Sequence, residues 1–97
     1  MFFLRIHETV KGSVVAVCDK DLLGSRFSEE ERVLEVGEDF FGGNEADVDE
    51  IVSALNGSVT ANIVGNKIIS SLVERNFIDE ENISEIDGVP TIQLFYI

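Results

Sequence analysis

Apolar positions along the chain follow two periods. The longest helical stripe runs through 60–77, where Ala61, Val64, Gly65, Ile68, Ile69, Leu72 and Val73 share one face. A glycine inside a helix costs about 1 kcal/mol relative to alanine, so Gly65 predicts something packed closely on the backbone there. Asn76 followed by Phe77 predicts a left-handed stop, with the Phe77 ring folded back on Leu72. A shorter stripe, Val48, Ile51, Val52 and Leu55, predicts a first helix with Asn44 as its N-cap, Glu45 and Asp47 in its first turn, and Asn56-Gly57 at its end.

Strand patterns occupy both ends of the chain. Segments 2–8 and 13–19 predict a hairpin turning at Gly12, with Phe2, Leu4 and Ile6 on one face and Phe3, Arg5 and His7 on the other. A third strand is expected at 32–36, after an irregular connection at 20–31 anchored by Leu22, Leu23 and Phe27. Asp87-Gly88 between apolar runs predicts a tight hairpin joining strands at 83–86 and 89–97, and Pro90 belongs at that last strand's start or on an edge. The expected architecture is α+β: a mostly antiparallel sheet of four to five strands with two helices packed on one face. The length, 97 residues, fits one domain with one core.

Charge narrows the function classes. There are 19 acidic residues against 7 basic ones, for a net charge of -12, and no two basic residues are adjacent. Such a surface argues against direct nucleic-acid binding and against anionic lipid; its plain reading is solubility or adaptation to a salty cytosol, and its sharper reading is a basic partner or divalent cations. The start, MFFLRIHE, is apolar too briefly for a signal peptide, and no run is long enough to span a bilayer. A single cysteine, Cys18, excludes an internal disulfide and a cysteine-cluster zinc site, which points to the reducing cytoplasm.

Several short pieces stand in a recognisable order: Cys18-Asp19, Leu22-Leu23-Gly24, Phe40-Phe41-Gly42-Gly43, Ala61-Asn62-Ile63-Val64-Gly65 and Asp87-Gly88-Val89-Pro90. As an ordered set over the whole length they resemble the small archaeal proteins of domain-of-unknown-function family 424. The resemblance implies a compact archaeal cytosolic protein and a loose association with translation, and it implies no established activity. Thr91 departs from the histidine the resemblance leads one to expect after Gly-Val-Pro, so no role of that histidine carries over.

Candidate chemistry rests on few residues. Cys18 and His7 are the only cysteine and histidine, and hairpin pairing could bring them together as a thiolate–imidazole dyad; side chains on opposite faces would end that idea. The competing reading of Cys18 is a buried structural thiol. The acidic clusters at 29–31, 47–50 and 79–81 lack the spacing of a calcium loop, and no second histidine exists for zinc. Asn62, near the expected start of the second helix, together with Gly65 could cap that helix or hold an anion. Two helices cover only one sheet face, which leaves Phe3, Arg5 and Phe95, with Phe40 and Phe41 of the glycine loop, as a candidate interaction surface, unless the irregular segment 20–31 wraps over that face.

The reading is therefore a non-enzymatic protein-interaction module with a protein partner or a second copy of itself, and with no cofactor. The alternative is a small enzyme or anion-binding protein using Cys18, His7 or the Asn62 to Gly65 region.

Overall fold

The computed structural model describes residues 1–95; Tyr96 and Ile97, which the pattern assigns to the last strand, lie outside the described residues. The chain is α+β. Its main sheet has six strands in the order β5-β1-β2-β6-β8-β7: β1 Phe2–Thr9, β2 Gly12–Asp19, β5 Asn44–Ala46, β6 Ser58–Val64, β7 Ser84–Ile86 and β8 Val89–Phe95. A separate two-stranded hairpin is made by β3 Arg26–Glu29 and β4 Arg32–Glu35. The helices are a single turn α1 at Glu38–Phe41, then α2 Val48–Asn56 and α3 Asn66–Glu74.

The sheet is larger than expected and it is mixed, because β6 lies parallel to β2. Its other four pairings are antiparallel, as expected; what is corrected is the count of four to five strands and a helix beginning near Thr60 or Asn62. Residues 58–64 are a strand, and the helix begins only after Gly65. Thr60, Ile63 and Val64 are β-branched, and β6 sits between β2 and β8 with both of its faces covered over much of its length. Such a run is apolar on both faces, so Ala61 and Val64 join the helical stripe beyond them without a break in the pattern.

Other boundaries moved for local reasons. Asn44 is in a strand, and Asp47 is the true N-cap of α2; it closes a capping box in which Asp47 Oδ1 accepts from the Glu50 amide and Glu50 Oε1 accepts from the Asp47 amide. The α3 ending is as expected: Asn76 is left-handed at φ 57°, its amide donates to the Val73 carbonyl, and the Phe77 amide reaches Leu72. Asp87 and Gly88 both take positive φ in the β7–β8 turn, which is what a two-residue hairpin with the strands' twist requires. Gly42 and Gly43 are glycines for lack of room: a Cβ would lie 2.5 Å from the Glu38 carbonyl oxygen at one and 2.2 Å from that of Leu4 at the other.

Two apolar clusters flank the sheet. On one face α2 and α3 bury Ile51, Leu55, Ile68, Ile69 and Leu72 against Val15, Val17, Ala61, Ile63 and Ile92. On the other, the 20–41 segment returns over one end of the sheet and packs Val36 and Phe41, with Leu22, Leu23, Phe27 and Leu34, on Ala16, Cys18 and Val64. Ile6 faces the helical side beyond their cover and is 48% exposed. Truncating Leu72 to Ala should therefore cost about 2–5 kcal/mol, whereas Ile6→Ser should stay within about 0.5 kcal/mol of the parent; chemical denaturation of the two variants checks the contrast.

Candidate functional site

The parallel pairing of β2 with β6 sets Cys18 beside Val64, and so puts Asp19 next to Gly65 at the point where β6 gives way to α3. An α-helix leaves its first amides without partners. Gly65, the N-cap, has no side chain to satisfy them, and Asp19 does so from across the sheet: its Oδ2 accepts from the Lys67 amide at 3.0 Å and its Oδ1 from the Ile68 amide at 2.9 Å. The carboxylate is almost fully buried at 4% exposure, where the helix dipole favours its charge. Gly65 is obligatory on two counts. Its φ of 126° with ψ 147° lies in a region that side chains avoid, and a Cβ there would stand 2.4 Å from Asp19 Cγ. The place an anion would occupy at this helix start is filled by the protein's own carboxylate.

Asn62 is not at that helix start. It stands mid-strand, half-buried, paired with Ala16 on one side and Gln93 on the other. Cys18 and His7 do share a face of the β1–β2 hairpin, yet the register pairs Cys18 with Phe3 and His7 with Val14. Four residues of strand then separate them, roughly 13 Å. Burial, with Asp19 and Asp21 nearby, pushes the Cys18 thiol up to about 12. His7 is engaged elsewhere: its Nε2–H donates to the Phe40 carbonyl at 2.9 Å, and its ring stacks on Phe40 at 4.8 Å. Arg5 donates to the Gly42 carbonyl at 2.8 Å. These two side chains hold the α1 turn against β1, and Phe41 beside them is buried in the core.

The face opposite α2 and α3 can be described as rows across four strands. Phe3, Cys18, Val64 and Thr91 form one row, beneath the 20–41 segment. Arg5, Ala16, Asn62 and Gln93 form the next, and His7, Val14, Thr60 and Phe95 the last. Cover thins along this order, from the buried Cys18 to the half-exposed Val14 and Thr60 and to Phe95, which is 67% exposed. The last two rows carry no carboxylate, in a chain with 19. Of the aromatics expected at a surface, Phe95 and Phe40 are exposed, Phe3 is half-buried and Phe41 is internal.

A concavity lies on the helical face, between α3 and the β7–β8 hairpin, with a volume of about 710 Å³. Among the described residues no three His, Cys, Asp or Glu side chains stand close enough to hold a metal ion. No described helix is long and apolar enough to cross a membrane.

Asp19 and the strip residues Val14, Thr60 and Gln93 escaped the sequence reading. Asp19 had one signal, its place among the pieces that carry the family resemblance; the strip has none until the register is known.

The chain matches the family model described as protein of unknown function (DUF424) over residues 7–97. It is similar to the crystal structure of an uncharacterized conserved protein from Methanopyrus kandleri, with 30% identity, 99% of this chain and 91% of that chain covered, and a TM-score of 0.82. No curated protein matches.

Two predictions follow from the buried carboxylate and thiol. Asp19→Ala should cost about 1–3 kcal/mol by stranding two helix amides, and Gly65→Ala at least about 2 kcal/mol through strain and clash. The double variant should be less destabilised than the sum, since losing the carboxylate makes room for the methyl; a double-mutant cycle measures this coupling. Cys18 in the native protein should resist iodoacetamide at mildly alkaline pH and be labelled fully once urea unfolds the chain, with mass spectrometry as the readout.

Proposed function

Since the chain belongs to the DUF424 family of proteins of unknown function, we propose its role from geometry: a non-enzymatic protein-interaction module that binds through the open rows of its sheet. The observation that supports this reading is the carboxylate-free strip of Val14, Thr60, Asn62, Gln93 and Phe95, on a chain whose net charge is -12. Carboxylates are the commonest ionisable group here, and their exclusion from one contiguous strip is what a surface covered by another protein requires, because a carboxylate desolvated without a partner is costly. Phe95 supplies the aromatic anchor that interfaces favour. The partner is another protein or a second copy, in the cytosol, and the family resemblance directs the search to the translation apparatus.

The alternative, a small enzyme or anion-binding protein on Cys18, His7 or the Asn62 to Gly65 segment, draws less support. The thiol is buried and held protonated, the imidazole is committed to Phe40, and the helix start holds Asp19. An active site calls for ionisable groups that converge in a cavity.

Phe95→Glu places a charge on the strip at an exposed position and should leave stability within about 0.5 kcal/mol. It should also abolish association, whether that is a dimer measured by light scattering or a partner retained from extract by the wild type. A wild-type chain that runs as a monomer and retains nothing beyond what Phe95→Glu retains would overturn the reading.

A further inference from the structure

We propose that the groove between α3 and the β7–β8 hairpin is a second docking surface, and that it takes an extended segment of a partner protein in which lysine or arginine alternates with apolar side chains. The groove is on the face of the sheet opposite the carboxylate-free strip, so this surface is independent of that one. Its floor is apolar, made by Ile69, Val73, Ile83 and Pro90, of which Val73 and Ile83 remain half-exposed. Its rim carries Asn66 and Ser70 of α3 and three carboxylates, Glu74 from α3, Glu80 from the turn at Glu80–Asn82 and Glu85 from β7, and among the described residues no cation lines it. The described ion pairs join Lys20 to Glu45, Arg26 to Glu35 and Arg75 to Asp49, and none reaches these three glutamates. Arg75, the cation nearest the end of α3, is drawn away to α2 by its pairing with Asp49. Glu74 is thereby left at the helix C-terminus, where the dipole disfavours a negative charge.

The occupant follows from this layout. The three carboxylates come from separate elements and do not gather as a metal site, so a compact divalent ion does not fit them. A polyanion is repelled. A chain that spaces several positive charges along its length meets them one by one, and apolar side chains between those charges cover the half-exposed floor.

The test is fluorescence anisotropy with a labelled peptide alternating lysine and leucine, at physiological salt. Glu74→Gln, Glu80→Gln and Glu85→Gln together should weaken binding by roughly tenfold or more. A control with the same charge change elsewhere, Glu30→Gln, Glu31→Gln and Asp39→Asn, should weaken it by less than about twofold. All six positions are exposed, and equal melting temperatures confirm that both variants fold. Replacing the peptide's leucines by serine should also weaken binding to the wild type. Equal losses in the two protein variants would reduce the effect to a general negative field and overturn the proposal. So would a serine-substituted peptide, or the polyamine spermine, binding as tightly as the leucine peptide.

Discussion

The fold turns on one carboxylate. Asp19 ends β2, and only Gly65 stands between the end of β6 and the start of α3; the two meet because β2 and β6 run parallel in a fixed register. A slip of one residue along that seam would take the carboxylate away from the two amides and turn the apolar side chains of β6 to the wrong face. The interaction therefore specifies register as well as contributing stability, and it does so at the centre of the sheet, where β2 and β6 have neighbours on both sides. Gly65 is its complement. Backbone that no side chain tolerates, beside a carboxylate that leaves no room for one, makes the glycine and the aspartate a single unit.

This unit explains which parts of the fold could be read from sequence. The β1–β2 hairpin, the Asp87-Gly88 turn and the Asn76-Phe77 helix ending are each settled by a few neighbouring residues, and all three stand where the pattern puts them. The segment 58–64 is settled by contacts far away in the chain. Buried from both sides, its apolar residues fit a helical stripe as well as a strand, and the β-branched content was the only local argument for a strand. A glycine at 65 does signal a close approach, but the approaching group is a side chain 46 positions earlier at a helix start, which no local spacing encodes.

Surfaces were less legible than the core for the same reason. Which of Phe3, Phe40, Phe41 and Phe95 face solvent depends on how the 20–41 segment lies over the sheet, and that segment has no sustained period of its own. It covers the Cys18 row, buries Phe41 and leaves Phe95 out. Arg5 and His7, which pattern alone would place on an open face, instead bond to the carbonyls of Gly42 and Phe40 and fix the edge of that cover.

The distribution of charge then separates the two surfaces physically. Acidic residues spread over a small body repel a second copy at long range, but at physiological salt that repulsion is screened beyond about 8 Å. Contact across the proposed carboxylate-free strip would be governed instead by desolvation of Val14, Thr60 and Phe95, a term that salt strengthens slightly or leaves alone. Docking in the groove beside α3, as proposed, would respond in the opposite sense, because attraction for a cationic segment is partly Coulombic and weakens as salt rises. Since the sheet itself lies between them, neither surface obstructs the other. A partner engaging both would gain from the raised local concentration of its second contact, without any new interaction being formed.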